Sequence, residues 1–551
     1  MRSAAKRGHA RGDEVGGEPR CVCDWFRRLP MSPYTGSRAL QNPPQKARHT
    51  VAIDRPIPGL WRFKIRRSVL FVALALTGLA GACSEPREPQ TIVLAPVEPI
   101  APAPPEAAGV CPAELPAPPS LPGVRAEHRT LEYWLRRTAE VAELDTAVLE
   151  PGAIAEHNRV IQGEASGDVR HDLLAPVQPQ SILEAVERRL SFLHGRVLSG
   201  KYVNAEGKAL STQEIQALAP VGQLPTLHPE LRVALAPLPM LCGPRLQGLY
   251  TTSLDLAFDR NLCSMIRAQE PIQVLMPWSD DLLLVRSGYV IGWIARSSAL
   301  SPQLRSKSEQ RAFVRGPWMV ASRDTELRSE SGETLRLSFG GRVPRVVRGR
   351  GEVWAAMERG VVKALPIESE ALAPTGRSLT RRQFLTDAFA YRGKPYGWGG
   401  YREGRDCSRF LMDLFAGFGV DLPRHSSDQA VAGTVIEIGP GLAEEERLRI
   451  IDRAHRRGLV LLHFPNHIML YLGRDAGGVP MVLHSFAEYL VPCTGRTSEM
   501  PAGERESLVH VDRVQVSDLE LGRGSSRTAF IERITKVTVV GRVATPEPAP
   551  S

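Results

Sequence analysis

The spacing of apolar residues changes along the chain and divides it into segments. Between 123 and 227, apolar residues recur every three or four positions, most clearly in 131–144 and 181–200, which predicts amphipathic helices. From 228 to 373 the period shortens to two, within short runs separated by turn residues, which predicts β-strands. The pattern therefore predicts a helical segment followed by a region of short strands.

The strand-rich region is predicted to form two small barrels, at 228–305 and 306–373. Residues 272–300 contain three apolar runs separated by turn residues, and they include Tyr289 and Trp293, each preceded by glycine. This stretch resembles a bacterial SH3 domain, and 306–373 is interpreted as a weaker second copy. A single irregular β-domain is the alternative interpretation.

A short apolar run near the N-terminus follows a cluster of basic residues. The run, SVLFVALALTGL at 68–79, is shorter than the roughly 20 residues of a membrane span, and small residues lead from it to Cys83. Residues 61–83 are therefore predicted to be a secretion signal. Its end resembles a bacterial lipobox, which implies lipidation at Cys83, although Ala80 departs from the usual leucine. An ordinary signal peptide is the alternative.

The segments on either side of this signal have a biased composition. Residues 1–60 are rich in Arg, Gly and Pro, and they are interpreted as a non-structured extension or as a stretch upstream of the true start codon. Residues 84–122 contain twelve prolines, which predicts an extended tether. By resemblance to proteobacterial lipoproteins, Ser84 after the cysteine favours the outer membrane.

Charge is concentrated in the same N-terminal part. The chain of 551 residues has a formal net charge of +9. In residues 1–82, Lys and Arg exceed Asp and Glu by ten, so residues 83–551 are close to neutral. The basic balance therefore indicates export and argues against a nucleic-acid partner.

The chemistry-bearing motifs lie after residue 378. An amphipathic helix is predicted after Thr380, then a glycine-rich turn from Tyr396 through Trp398 to Gly400, and then a second helix that begins near Cys407. A cysteine at a helix N-terminus is a candidate nucleophile, because the helix dipole favours its thiolate.

A cysteine nucleophile also needs a base, and two histidines are suitably spaced. His467 and His484 fall on successive predicted strands, joined by a loop that contains two glycines. Neighbouring strands can bring the two side chains together, so that one histidine deprotonates Cys407 and the other orients it. The structural alternative, in which each residue only packs, applies to any single histidine or cysteine.

These residues carry a resemblance to a known family. PYGWGG, DCS, LPRHSSDQ, NHIMLYLG and LHS, in that order, resemble the NlpC-type papain-like cysteine peptidases, which cut peptidoglycan stem peptides. The resemblance covers 378–545 and implies an α+β peptidase domain without metal or organic cofactor.

The resemblance also implies a role for each matched residue. Cys407 would be the nucleophile, His467 the base and His484 the orienting residue, with Tyr396 beside the nucleophile. In related enzymes that cut after γ-D-glutamate, the residues flanking the cysteine hold the free L-Ala amine. Those residues are Asp406 and Ser408, and Trp398 is a further candidate for substrate binding.

One position departs from the common motif. Arg409 stands where DCSG has glycine. Some multi-domain members, with a helical segment and two SH3 domains, also lack that glycine, and YREGRDCS resembles them. In those members the first SH3 domain closes one end of the groove, and Tyr289 and Trp293 are the candidates for that wall.

The sequence thus predicts a monomeric, membrane-anchored periplasmic lipoprotein that hydrolyses stem peptides, as a γ-D-glutamyl-L-diamino acid endopeptidase. Two alternatives stay open. One is a wall-binding protein that has lost catalysis, and the other is an amidase or acyltransferase of the same fold.

Overall fold

The computed structural model describes residues 112–163, 171–329, 332–346, 351–356, 361–367, 370–493 and 505–542. All of them belong to one compact unit. The predicted extension, the signal with Cys83 and the tether up to residue 111 lie outside the described residues. Within the ranges given above, no helix has the length and apolar character needed to cross a membrane.

The first part of the unit contains short strands and helices. Thr130 caps the first helix, where its Oγ1 accepts a hydrogen bond from the Tyr133 amide. The longest helix buries a stripe that includes Val186, Leu190 and Leu193. The elements are β1 (Glu114–Leu115), α1 (Leu131–Ala139), β2 (Ala147–Leu149), α2 (Pro151–Gly163), α3 (Pro179–Leu198), β3 (Tyr202–Val203) and α4 (Thr212–Ala217).

A six-stranded antiparallel sheet follows, in the order β4-β8-β9-β10-β5-β7. A disulfide joins Cys242, just after β5, to Cys263 in β7. The turns predicted within 272–300 separate β8, β9 and β10. The strands are β4 (Glu230–Val233), β5 (Leu238–Leu241), β6 (Tyr250–Thr251, paired with β3), β7 (Leu262–Ile266), β8 (Pro271–Pro277), β9 (Leu282–Ser287) and β10 (Ile291–Ala295).

Smaller sheets make up the next region. Their apolar side chains form a separate core around Leu327, Leu337 and Val353. The elements are α5 (Lys307–Arg315), β11 (Trp318–Ala321), β12 (Thr325–Arg328), β13 (Thr334–Leu337), β14 (Arg342–Pro344), β15 (Glu352–Ala356), β16 (Val362–Pro366) and β17 (Leu372–Pro374).

The C-terminal region is built on a seven-stranded sheet in the order β1-β23-β22-β21-β20-β24-β19. Separate apolar cores cover its two faces, one of which includes α7 and the other α9. The elements are β18 (Leu379–Thr380), α6 (Arg381–Ala390), α7 (Cys407–Ala416), α8 (Ser426–Gln429), β19 (Thr434–Glu437), α9 (Glu444–Arg457), β20 (Leu459–Phe464), β21 (His467–Arg474), β22 (Pro480–Pro492), β23 (Glu506–Asp518), α10 (Phe530–Arg533) and β24 (Lys536–Val540).

The end of the proline-rich segment is part of this sheet. β1 pairs in parallel with β23 at the sheet edge, and the Ser507 hydroxyl donates to the Pro112 carbonyl. An edge position suits a proline-rich strand, because proline cannot donate to a hydrogen-bond ladder. Cys493, directly after β22, forms a disulfide bond.

A buried charge cluster joins α7 to the six-stranded sheet. At its centre is Asp413, whose side chain is 1% exposed. It accepts hydrogen bonds from Arg405 Nε at 2.9 Å and Arg409 Nε at 2.8 Å, and it pairs with Arg267, which follows β7. Burial and the nearby Arg409 charge lower the pKa of Arg267 to about 9, which is still high enough for it to be charged at neutral pH.

This cluster predicts a large effect of Asp413→Ala on stability. Three arginines would lose a shared buried counter-charge, and such a loss typically costs about 3–5 kcal/mol. We expect chemical denaturation to show a decrease of that size in the free energy of unfolding. Asp280→Ala, in an exposed turn, is the control and should change it by less than about 0.5 kcal/mol. Equal stability of the two variants would contradict a structural role for the cluster.

Candidate active site

Cys407 is the first residue of α7, and its neighbour Asp406 is the N-cap. The Asp406 carboxylate accepts a hydrogen bond from the Arg409 amide at 2.8 Å, as expected of a cap. The thiol is buried and lies against the start of β21, where Asn466 O is 4.0 Å from Sγ. Within the part of the chain described, Cys407 is the only free cysteine.

Asp406 is held by more donors than a cap requires. Arg424 donates to its two oxygens at 3.0 and 2.6 Å, the Gly399 amide donates at 3.0 Å, and Ser408 Oγ donates at 3.1 Å. With the Arg409 amide these are five hydrogen bonds, whereas a carboxylate offers about four lone pairs. Burial alone would raise the pKa of Asp406, but the Arg424 charge and hydrogen bonds keep it below its usual value.

The two predicted histidines are in direct contact. His467, the first residue of β21, places Nε2 at 2.7 Å from Nδ1 of His484 in β22. His484 Nε2 is 2.9 Å from Ser517 Oγ, and that hydroxyl donates to the Asp518 carbonyl at 2.9 Å.

This chain of contacts fixes the tautomer of each ring. Because Ser517 donates its proton to a carbonyl, it must accept one from Nε2 of His484. His484 Nδ1 then accepts from Nε2–H of His467, so Nδ1 of His467 carries the lone pair that can take a proton. The arrangement prepares His467 as a base.

Burial keeps both rings neutral. It lowers the pKa of His467 to about 3, with a further contribution from the Arg533 charge, and it lowers the pKa of His484 well below its usual value. His484 also stacks on Phe486, with ring centroids 4.0 Å apart. A neutral imidazole is the form that can accept the thiol proton.

The thiol is neutral in the same structure. Burial and the adjacent Asp406 carboxylate raise the pKa of Cys407 to about 12, against smaller opposing effects of the Ile468 and Ser408 amides. The direction is opposite to the one expected from the helix dipole alone. The resting pair is therefore thiol and imidazole, so a proton must move when the sulfur attacks.

The glycine-rich turn at 398–403 presents aromatic side chains to a loop of the six-stranded sheet. Gly399 and Gly400 have positive φ, and a Cβ on Gly399 would lie 2.8 Å from Leu262. Phe258 contacts the rings of Tyr396 and Trp398 at 5.9 and 5.5 Å between centroids. The absence of side chains at these glycines thus lets β7 approach the turn.

The other predicted residues are distributed as follows. Ser408 is buried and accepts a hydrogen bond from Arg424 at 2.9 Å. Tyr289 faces α7, where its hydroxyl lies 3.4 Å from Arg409, whereas Trp293 is buried against Trp278 in the core and lines no groove. Cys83 lies outside the described residues.

The sequence analysis missed several partners that the fold brings to the site. Arg424 was inside the quoted LPRH motif, but no spacing rule connects it to Asp406. Ser517 and Arg533 follow much later in the chain and reach the histidines through β23 and α10. Only the order of the strands and the position of α10 could have linked Ser517 and Arg533 to the histidines.

Comparison with known proteins supports a familial relationship for this region. Residues 393–495 match the NlpC/P60 family. Gamma-D-glutamyl-L-lysine dipeptidyl-peptidase from Bacillus subtilis (strain 168) is 28% identical over 174 residues, which are 31% of this chain and 52% of that protein. The matched stretch thus spans about half the length of the curated relative.

A solved structure shows the same fold over a larger part of the chain. An NlpC/P60 endopeptidase from Photobacterium damselae subsp. piscicida matches 73% of this chain and 96% of its own, with a TM-score of 0.56 and 17% identity. The predicted mixture of helices and strands around a peptidase fold is confirmed at this level. The C-terminal part of this chain is therefore similar to an NlpC/P60 domain, over residues 393–495.

Proposed function

We propose that this protein is a cysteine peptidase that hydrolyses the bond between γ-D-glutamate and the diamino acid of peptidoglycan stem peptides. NlpC/P60 proteins are hydrolases that act on peptidoglycan, and the B. subtilis relative is a γ-D-glutamyl-L-lysine dipeptidyl-peptidase by name. The observation that carries the proposal is the hydrogen-bonded series of Ser517, His484 and His467, which ends at the start of β21, where Asn466 contacts the buried Cys407 thiol.

In the proposed first step, His467 Nδ1 takes the Cys407 proton while the sulfur attacks the γ-carbonyl of the glutamyl residue. The Sγ–C bond forms, and the negative charge moves to the carbonyl oxygen. The amide of Ser408 lies at the helix N-terminus, where N–H groups have no intrahelical acceptor, so it can stabilise that oxygen.

In the second step, the C–N bond breaks and the His467 imidazolium protonates the leaving amine of the diamino acid. Water then attacks the thioester, and His467 accepts its proton. Sulfur leaves as the thiol, and the acyl product is L-Ala-γ-D-Glu. No other co-reactant is needed for this cycle.

The free L-Ala amine is assigned, by the family resemblance, to Asp406 and Ser408. Because Asp406 already accepts five hydrogen bonds, we propose that its main role is to cap α7 and hold Arg424. The amine would meet Asp406 only by displacing one of these donors. Recognition of the free amine would therefore require a rearrangement of the hydrogen bonds around Asp406.

The cellular setting is proposed from the sequence. The segment at 61–83 would export the chain and leave a lipid on Cys83, and the tether would hold the enzyme on the periplasmic side of the outer membrane. The six-stranded sheet and the small sheets after it would be SH3-like modules that border the groove, in a monomeric enzyme.

Removal of the nucleophile or the base should abolish hydrolysis. For Cys407→Ala and His467→Ala we expect a decrease in kcat/KM of about 10⁴-fold or more on L-Ala-γ-D-Glu-L-Lys, measured by mass spectrometry of the products. His510→Ala, at a half-exposed histidine of β23, is the control and should retain activity. Equal amounts of product from the parent and Cys407→Ala would contradict catalysis by Cys407 and favour a wall-binding protein. Cleavage at a sugar–peptide amide would indicate an amidase.

The pH dependence of thiol alkylation tests the resting state of the pair. Since the Cys407 pKa is about 12 and the His467 pKa about 3, the thiolate fraction should rise about tenfold per pH unit between about pH 6 and pH 9. The rate of iodoacetamide labelling of the Cys407 peptide should rise in parallel, with Cys407→Ala as the blank. A rate that is constant over this range would reveal a preformed thiolate–imidazolium pair instead.

Lipidation at Cys83 predicts a change in fractionation. In a Gram-negative host, Cys83→Ser should move the exported protein from the membrane fraction to the soluble periplasmic fraction, as measured by immunoblotting. Cys21→Ser, upstream of the proposed cleavage point, should change nothing. Retention of Cys83→Ser on the membrane would exclude the lipid as the anchor.

A further inference from the structure

A short loop of the six-stranded sheet domain brings an arginine to the edge of the site. Residues 252–261 lead into β7, which packs on the turn at 398–403 through Gly399 and Gly400. The Cys242–Cys263 disulfide fixes the start of β7 to β5. The end of the loop is therefore held, through β7, against the turn at 398–403.

Arg260, near the end of this loop, lies over an aromatic platform. Its guanidinium carbon is 4.6 Å from the ring centroid of Trp398 and 5.4 Å from that of Phe258. Phe258 in turn contacts Tyr396. A guanidinium stacked on aromatic rings keeps its N–H edges available to an acceptor in the ring plane.

Among the described residues, no carboxylate lies within ion-pair distance of Arg260, although its charge acts on the adjacent Asp259. Its guanidinium makes cation–π contacts with Phe258 and Trp398, and its side chain is partly exposed. One oxygen of the Asp259 carboxylate accepts from the Leu249 and Asn261 amides at 2.9 and 2.8 Å, and the Arg260 charge opposes the rise that burial causes in the Asp259 pKa. Arginines near Cys407, such as Arg409 and Arg424, are buried and bound to aspartates.

Arg260 also acts on the same group as the nucleophile. Burial raises the pKa of Tyr396 well above its usual value, with further contributions from Asp406 and Cys407, whereas the Arg260 charge opposes the shift. Tyr396 thus lies within electrostatic reach of both the sulfur and the guanidinium. A substrate carboxylate beside Tyr396 would meet the positive charge of Arg260.

We propose that Arg260 binds a carboxylate of the substrate, namely the free α-carboxylate of the γ-D-glutamyl residue. This assignment rests on the proposed function and adds a subsite to it. A γ-linkage leaves the α-carboxylate unsubstituted, and four C–C bonds separate its carbon from the scissile carbonyl carbon, or roughly 5 Å in an extended chain. Every substrate of this class carries this group, whichever diamino acid follows.

The chemistry of the pair predicts selectivity. Arginine recognises a carboxylate through paired N–H···O bonds, and charge-assisted hydrogen bonds are stronger than neutral ones. Conversion of the α-carboxylate to a carboxamide removes the charge and one acceptor. Peptides with D-isoglutamine should therefore bind less tightly than those with D-isoglutamate, by about tenfold or more.

The test measures binding and cleavage separately. Calorimetry with full-length Cys407→Ala protein compares the affinity for L-Ala-γ-D-Glu-L-Lys with that for its α-carboxamide analogue. Both peptides are then measured with double variants that combine Cys407→Ala with Arg260→Gln or Arg260→Lys. We expect the preference to fall to within about twofold in Arg260→Gln and to persist in part in Arg260→Lys, which keeps the charge. Arg296→Gln, at an exposed arginine of the same domain, should keep the full preference.

The outcomes separate the subsite from the function. The subsite is overturned if Arg260→Gln still prefers the α-carboxylate peptide, or if binding depends on the lysine carboxylate rather than on the glutamyl α-carboxylate. It is also overturned if Cys407→Ala shows no preference between the two peptides or binds neither of them. Thermal melting checks that Arg260→Gln is folded. If the Cys407-containing parent cleaves neither peptide, the proposed reaction fails, whereas the binding preference in Cys407→Ala still decides the subsite.

Discussion

The attachment of α7 to the six-stranded sheet is the constraint on which the site depends. Asp413 and Asp406 lie on one helix and neutralise arginines that come from both sides of the junction. Burial of any one of these charges without its partner would be costly. The ion pairs therefore form only when α7 and the six-stranded sheet pack in one relative position. The position of the Cys407 thiol is therefore set by contacts that lie outside the peptidase sheet.

Arg409 shows how this constraint uses a departure from the common motif. Its guanidinium donates to Met265 O at 2.7 Å and to Ser264 Oγ at 3.2 Å, as well as to Asp413. Glycine at that position could make none of these contacts. Arg424 reaches the same Ser264 hydroxyl at 3.0 Å, so one serine of β7 meets both arginines.

Desolvation sets the protonation states of Cys407 and His467. Because the sulfur is buried beside the Asp406 carboxylate, the thiol stays neutral. Desolvation of the partly buried His467 lowers its pKa to about 3, so the imidazole also stays neutral. The oriented relay through His484 and Ser517 then directs a lone pair for proton transfer. A neutral thiol of this kind is less readily oxidised, since the thiolate is the form that is oxidised.

The sequence by itself determined the elements that carry the chemistry. Local signals sufficed for Cys407 at a helix start, the two histidines on successive strands and the glycine-rich turn, because each depends on a few neighbouring residues. Strand order and domain contact decided the rest. Ser517 of β23 contacts His484 of β22, and Arg260 contacts Trp398 from the loop that precedes β7. No local pattern predicts contacts between residues so far apart in the sequence. The direction of the thiol pKa shift was likewise decided by burial, which exists only in the folded chain.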